Sequence, residues 1–479
     1  MTQIRFLVFP LLAAILALCL PDLALAAHDH PTIPGAQISA IWCIPFACML
    51  LSIAIMPLAF PHFWEHNFGK IAVFWGLAFL IPCWIVYGYS VACYEFLHII
   101  ILDYIPFIVL LFALFTVAGG VRLTGSLVGT PGVNTGILAV GTLLASWMGT
   151  TGAAMLLIRP LLRANAHRRY RVHSIVFFIF LVANIGGSLT PLGDPPLFLG
   201  FLKGVSFFWT MAHLWFKTLC LSLALLIIFY IADTILYKKE GSPKPPISDT
   251  EQVEKLGLDG VINLIFLGGI VLAVLLSGMF NLGTWMDIYG VPVEGQNFLR
   301  DICLLILAGL SWKFTSRQCR EKNGFTWAPI EEVAKLFFGI FLSMIPAIAI
   351  LRAGTEGALS SLIRMVSTAD GQPVNAMYFW LTGCLSSFLD NAPTYLVFFN
   401  TAGGDAQHLM TDMATTLIAI SAGAVFMGAN TYIGNAPNFM VRSIAENQGV
   451  KMPSFFGYMV WSVGILIPLF ALLTWIFLM

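Results

Sequence analysis

The sequence predicts an all-α polytopic membrane protein with two inverted-topology repeats, each containing a re-entrant hairpin and a broken transmembrane helix. Three observations predict this fold class. Of the 479 residues, 59% are hydrophobic and only 10% are charged, whereas a soluble domain carries about 25% charged residues. The mean hydropathy is +0.88, which reflects a series of apolar stretches. Polar motifs interrupt some of these stretches at matching places in the two halves of the chain.

The overall charge and the cysteines argue against several other classes of protein. The formal net charge is zero, so nothing indicates a nucleic-acid partner, and the lipid bilayer is the expected surrounding. The nine cysteines form no CxxC motif and no Cys/His cluster. We therefore expect packing thiols rather than a disulfide framework or a metal site.

The N-terminus resembles a secretory leader. Residues 1–26 combine Arg5, an apolar core and the small residues Ala24 and Ala26. This pattern predicts a signal peptide that is cleaved before Ala27. An additional, uncleaved N-terminal helix is the alternative.

Apolar stretches of about 20 residues are long enough to cross a bilayer as helices. Such spans are predicted at residues 38–60, 68–90, 104–121, 172–202, 207–237, 259–280, 298–314, 332–352, 412–441 and 455–478. Two further stretches, about 132–162 and about 373–400, are broken midway by GTTG and DNAP and suit re-entrant hairpins. A polar linker at 238–258 separates a first half, 27–237, from a second half, 259–479.

The distribution of Lys and Arg predicts the orientation, because these residues concentrate in cytoplasmic loops. RANAHRRYR at 163–171, the two lysines that open the linker, and KFTSRQCREK at 313–322 should face the cytoplasm. The segments 281–297 and 401–411 contain no Lys or Arg and should face outside. This arrangement requires an outside N-terminus, which agrees with signal cleavage and with a multi-pass protein of the cell inner (plasma) membrane.

An internal repeat relates the two halves. SWMGTTGAAMLL at 146–157 aligns with SSFLDNAPTYLV at 386–397, and GSLTPLGDPPLF at 187–198 aligns with GANTYIGNAPNF at 428–439. The paired positions are Ser146 and Ser386, Thr150 and Asp390, Thr151 and Asn391, Thr190 and Thr431, Gly193 and Gly434, and Asp194 and Asn435. The loop after the first hairpin contains four arginines and the loop after the second contains none, which predicts opposite orientations. Inverted repeats with interrupted helices are typical of secondary transporters; a duplicated scaffold in an enzyme or assembly factor is the alternative.

The breaks predict the position of a binding site. Glycine and proline interrupt the broken helices, about 172–202 and about 412–441, at TPLGDPP and TYIGNAP. Non-helical backbone at membrane depth is tolerated only where it is buried in protein or lines a cavity, so the four broken segments should converge. The expected ion- or substrate-binding residues are Ser146, Thr150, Thr151, Thr190, Gly193, Asp194, Ser386, Asp390, Asn391, Thr394, Thr431, Gly434, Asn435 and Asn438.

Two acidic residues at these breaks indicate the chemistry. An acidic residue inside a membrane is energetically unfavourable and is by default a functional candidate, although Asp194 and Asp390 could instead cap helices. A buried carboxylate can hold a proton near neutral pH. We therefore expect Asp390, Asn391 and Asp194 to bind Na+. A carboxylate that holds either H+ or Na+, but never both, provides the minimal chemistry of an antiporter.

The motifs SSFLDNAPT, at 386–394, and GSLTPLGDPP, at 187–196, resemble those of the ion transporter superfamily. This group includes NhaD-type sodium/proton antiporters, arsenite permeases, and citrate and dicarboxylate transporters, and the sequence is most similar to the NhaD-type branch. The resemblance implies a scaffold domain, a mobile transport domain, a homodimer and an elevator-type movement. The dicarboxylate branch carries Ser-Asn-Thr at both hairpin tips, whereas this sequence has Gly149-Thr150-Thr151 and Asp390-Asn391-Ala392.

The leading expectation is therefore a secondary active transporter that exchanges Na+ (or Li+) for H+. The alternative is a Na+- or H+-coupled transporter of citrate or another di- or tricarboxylate. The sequence contains no HExxH motif and no nucleophile elbow at a membrane face, so we do not expect an enzyme. The expected partners are a small inorganic cation and a proton, with an organic anion as the alternative cargo; no cofactor is expected beyond these ions.

Overall fold

The computed structural model describes residues 32–243 and 256–479, and these are mainly helical. The predicted signal peptide and residues 244–255 of the predicted linker lie outside the described residues. The helices of the first half are α1 (Ile44–Ala59), α2 (Pro61–Tyr87), α3 (Tyr89–Ile99), α4 (Ile105–Ala118), α5 (Pro131–Met148), α6 (Thr150–Ala164), α7 (Val172–Leu181), α8 (Pro195–Leu202) and α9 (Trp209–Lys239).

The second half continues with twelve helices in the described residues. They are α10 (Ile262–Met279), α11 (Gly295–Phe314), α12 (Arg317–Lys322), α13 (Ala328–Ser343), α14 (Ile345–Arg352), α15 (Ser360–Met365), α16 (Asn375–Phe388), α17 (Asn391–Thr401), α18 (Ala406–Thr411), α19 (Ala414–Met427), α20 (Ala436–Asn447) and α21 (Phe455–Phe477). Two small antiparallel pairs accompany them: β1 (Arg122–Thr124) with β2 (Gly257–Asp259), and β3 (Thr284–Ile288) with β4 (Val291–Glu294).

Several of these helices can cross a membrane. Within the described ranges, six helical segments are long and apolar enough: Ala40–Ala59, Pro61–Tyr87, Tyr89–Ala118, Trp209–Lys239, Ile262–Met279 and Phe455–Phe477. A seventh candidate is the pair α13 and α14, which bends by 45°. The prediction of an all-α polytopic membrane protein is confirmed at this level.

One predicted span begins too late. The helical segment predicted at 104–121 starts at Tyr89 and passes through a π-helical turn, Ile100–Tyr104, into α4. Glu95 and Asp103 lower the hydropathy of this segment, but both have partners: the Ile33 N–H donates to Glu95 (3.2 Å), and the Lys203 ammonium lies 2.5 Å from Asp103. These partners lie 62 and 100 residues away in the sequence. Hydropathy does not detect such partners, so it placed the start of the span too late.

The four predicted interruptions coincide with helix ends. α5 ends at Met148 and α6 starts at Thr150, with Gly149 between them at a φ of +81° that favours glycine. α16 and α17 are separated at residues 389–390. Short 3-10 turns, Ile185–Ser188 and Gly428–Asn430, lie between α7 and α8 and between α19 and α20.

A buried polar network fastens the first hairpin to α9. The Arg168 guanidinium lies 2.6 Å from Asp233 and 3.1 Å from Glu240, and both charged groups of the closer pair are fully buried. His173 also contacts one carboxylate oxygen of Asp233 (2.8 Å), and the Asn134 amide donates to the other oxygen of Asp233 (2.9 Å). The start of α5, the loop between α6 and α7, the start of α7 and the end of α9 are therefore held together.

Candidate functional site

The candidate site lies where the four interruptions meet, and close backbone contacts bring them together. The Thr150 N–H at the start of α6 donates to the Gly193 carbonyl oxygen (2.8 Å). A Cβ on Gly193 would lie 2.1 Å from the Gly187 oxygen, and a Cβ on Gly434 would lie 2.6 Å from the Gly428 oxygen. Both predicted glycines are therefore required by close approach of the backbone.

The Asp194 carboxylate is at the centre of this arrangement and is only 1% exposed. Three neutral side chains donate to it. The Thr150 hydroxyl (3.1 Å) and the Asn435 amide (2.9 Å) reach one oxygen, and the Asn391 amide (2.5 Å) reaches the other. One predicted residue from each hairpin tip and one from the second broken helix thus donate to Asp194, which belongs to the first broken helix.

These four residues also mark four helix N-termini. Thr150 and Asn391 are the first residues of α6 and α17, while Asp194 and Asn435 are the N-caps of α8 and α20. A helix N-terminus carries roughly half of a positive charge. Four such ends around one carboxylate stabilise negative charge, and no basic side chain of the described residues bonds to it.

A second layer of amides supports Asn435. Its amide nitrogen also reaches the Ala183 carbonyl oxygen (3.1 Å) and the Asn184 side-chain oxygen (3.3 Å). The Asn184 amide in turn donates to Asn438 (2.7 Å), and the Asn438 amide donates to the Gly428 carbonyl oxygen (2.8 Å). Predicted residue Asn438 therefore lies behind the central carboxylate rather than on it.

The predicted serines and threonines of the breaks mostly bind backbone. The Thr190 hydroxyl donates to the Ser146 carbonyl oxygen, and the Thr431 hydroxyl donates to that of Ser387; each pair is 44 residues apart. The Ser146 hydroxyl donates to the Gly186 carbonyl oxygen (2.5 Å), and that of Ser386 to the Ala424 carbonyl oxygen (2.6 Å). These residues tie each hairpin to the broken helix of its own half.

These contacts change the alignment of the two tips by one residue. The hydroxyls of the paired residues Thr190 and Thr431 donate to the carbonyl oxygens of Ser146 and Ser387. The hydrogen bonds therefore pair Ser146 with Ser387, whereas the sequence alignment paired Ser146 with Ser386. The N-cap positions then relate Gly149 to Asp390, and the first helical residues relate Thr150 to Asn391. This register is the more consistent one, because Thr150 and Asn391 both donate to Asp194.

Asp390 is less central than expected. Its side chain is half-buried and caps α17 by accepting a hydrogen bond from the Ala392 N–H (3.0 Å). The Thr394 hydroxyl donates to the Asp390 carbonyl oxygen (3.0 Å), within the same helix. Thr151, also half-buried, makes no side-chain hydrogen bond among the described residues. No direct hydrogen bond joins Asp390 to Asp194 among the described residues.

One polar atom at the centre has no partner. The Asn391 side-chain oxygen is buried and accepts no hydrogen bond from the described residues, although its amide nitrogen donates to Asp194. Buried polar groups are usually paired. An oxygen of this kind beside a carboxylate is suited to contact a small cation.

Three residues of this region were not predicted from the sequence: Asn184, Ser387 and Asn430. Asn184 bridges Asn435 and Asn438, and the Asn430 amide donates to the Ser387 hydroxyl (2.9 Å). Two of them could have been found, because Asn184 and Asn430 are polar residues at the ends of apolar runs, shortly before the break motifs TPLGDPP and TYIGNAP. Ser387 was hidden by the one-residue shift of the alignment.

A family model described as "Putative citrate transport" matches residues 35–478 of the chain. This range includes both hairpins and both broken spans. No curated protein matches the chain.

Proposed function

The chain belongs to this citrate-transporter-like family of multi-pass membrane transporters, and on that premise we propose that it exchanges Na+ or Li+ for H+ at Asp194. The observation that carries the proposal is a buried carboxylate surrounded by neutral donors, next to the unpartnered oxygen of Asn391. Carboxylate and amide oxygens are hard ligands that suit Na+. No Lys or Arg side chain among the described residues donates to Asp194, so its charge remains for an exchangeable cation or proton.

The exchange step would use the two ends of the Asn391 amide. In the structure the amide nitrogen donates to Asp194, which suits a carboxylate without a bound cation. Half a turn about the last side-chain torsion, which has broad two-fold preferences, would present the amide oxygen instead. A cation could then lie between that oxygen and the carboxylate. Protonation of Asp194 removes its charge and releases the cation, so the two ions compete for one site.

A second candidate is Na+- or H+-coupled transport of citrate or another di- or tricarboxylate. The family description favours it, as do the four helix N-termini, since such ends attract anions. Their charges sum to on the order of two positive units, which the carboxylates of Asp194 and Asp390 offset. An organic anion would therefore need bound cations or protons to accompany it, and the same aspartates would supply the coupling site.

The larger architecture is part of the proposal. We infer that the hairpins and broken helices form two inverted repeats, supported by the matched hydrogen bonds of Thr190 and Thr431. The resemblance noted in the sequence implies a homodimer with an elevator-type movement. The loop charges favour an inner-membrane protein with its N-terminus outside.

Everted membrane vesicles that contain the full chain test both candidates. A pH gradient is established, and Na+, Li+, K+ or citrate is then added at several pH values around neutrality. We expect Na+ and Li+, but not K+, to dissipate the gradient. Citrate uptake that requires a Na+ or pH gradient would favour the second candidate. If the correctly inserted protein gives neither response, the proposed ion site is wrong.

A further inference from the structure

A cluster of metal-ligating side chains lies at the start of α2, far from Asp194 in the sequence. His62, Glu65 and His66 are all exposed, and one ligand atom from each lies within 4.8 Å of the others. They follow the spacing H-x-x-E-H, in which residues three and four apart share one helix face. Trp64, between them, is 5% exposed and packs inward, so the three side chains point away from the core.

We propose that this cluster is a binding site for a divalent transition-metal ion such as Zn2+. Imidazole nitrogens select Zn2+, Cu2+ or Ni2+ over Na+ or Ca2+, which prefer oxygen ligands. Tetrahedral zinc with ligands at about 2.1 Å places neighbouring ligand atoms about 3.4 Å apart. Because the three side chains are exposed, small rotations of their torsions close the remaining distance. Three protein ligands leave a coordination position for water.

The hydrogen bonding of His66 favours metal binding. Its Nδ1 lies 2.9 Å from the His62 carbonyl oxygen. Since a carbonyl oxygen can only accept, Nδ1 carries the proton and Nε2 keeps its lone pair. Histidines that bind metals usually donate their other N–H to a carbonyl or carboxylate in this way. The helix backbone therefore presents His66 in the tautomer that a metal requires.

Charge at the cluster points the same way. Glu65 is exposed and makes no ion pair or side-chain hydrogen bond among the described residues, so its carboxylate is available to bind a cation. The inference is independent of the ion exchanged at Asp194.

Zinc titration of the purified full chain in detergent, after treatment with a chelator, tests the site. We expect His62→Ala combined with His66→Ala to remove one zinc ion per chain or to weaken its binding by more than about tenfold. His408→Ala is the matched control: His408 is an exposed helical histidine whose Nδ1 lies 2.9 Å from Asp412, and it belongs to no metal-ligand cluster in the part of the chain that the structure describes. This control should bind zinc as the unmodified chain does.

Unchanged stoichiometry and affinity in the double variant would overturn the proposal and assign the zinc to other groups. A spectroscopic measurement on the unmodified chain makes the test independent of the folding of the variant. One equivalent of Cu2+ should show electron paramagnetic resonance coupling to two imidazole nitrogens. That coupling should disappear in His66→Gln, and its persistence there would contradict the assignment.

Discussion

Replacement of Asp194 by asparagine separates the role of its charge from that of its shape. Asparagine keeps the size of the side chain and one oxygen, so the bonds from Thr150 (3.1 Å) and Asn435 (2.9 Å) can be retained. Its amide nitrogen would replace the oxygen that accepts from Asn391. Rotation of the Asn391 amide would then offer its unpartnered oxygen as an acceptor.

The expected effects on folding and on ion binding therefore differ in size. Neutral hydrogen bonds replace charge-assisted ones, which are about twice as strong, so the free energy of unfolding should change by about 1–2 kcal/mol. A cation about 4 Å from a unit charge interacts with it by about 4 kcal/mol at an effective dielectric constant near 20. At about 1.4 kcal/mol per factor of ten, loss of that charge should weaken cation binding about a thousandfold.

The vesicle assay measures this effect as the Na+ concentration that gives half-maximal dissipation of the pH gradient. Asp194→Asn should respond only at a much higher concentration or not at all, while size-exclusion profiles and thermal unfolding in detergent stay close to those of the unmodified chain. Asp412→Asn, at an exposed aspartate beside His408, is the control and should exchange normally. Half-maximal exchange by Asp194→Asn within about tenfold of the unmodified chain, on the same scale, would refute the reasoning.

Two further substitutions test other parts of the description. Asp390→Asn keeps the cap of α17, because asparagine caps helices as well as aspartate does, but removes the second carboxylate near the site. Ion exchange should weaken without loss of folding, and less so than in Asp194→Asn; unchanged exchange would reduce Asp390 to a structural cap. Asp233→Ala leaves the fully buried Arg168 without its closest partner and should lower the free energy of unfolding by about 3–5 kcal/mol. Thermal unfolding would detect this loss. As a control, Arg317→Ala removes an ion pair whose arginine is 91% exposed and should have little effect. Equal unfolding midpoints for the two variants would contradict a stabilising role of the buried network.

Much of the helical layout could be predicted because the sequence marks the interruptions directly. Gly149, and the prolines that follow Asp194 and Asn435, lie at helix ends in the structure as expected. The span that starts at Tyr89 could not be bounded correctly. Its acidic residue Asp103 is paired with Lys203, one hundred residues later, and hydropathy carries no information about such a partner.

The candidate site was predicted in composition more than in geometry. Thr150, Asn391 and Asn435 were expected in the same site as Asp194, and all three donate to it. Asp390 was predicted to be an ion ligand equivalent to Asp194, but it receives none of these three bonds. Which aspartate accepts several donors and which caps a helix depends on how residues far apart in the chain approach in space. The same limit explains the one-residue shift at the hairpin tip, since only the hydrogen bonds distinguish between the two registers.

The hydrogen bonds of Asp194 also have a consequence for the synthesis of the chain. Its partners Asn391 and Asn435 follow it by 197 and 241 residues. At about 5–20 residues per second, the ribosome needs about 10–40 s to reach Asn391 after adding Asp194. During this time Thr150 is the only one of the three donors already made. Since an ionised carboxylate with a single donor is unfavourable inside a bilayer, we expect the growing chain to carry this residue as the protonated acid until its second half is made.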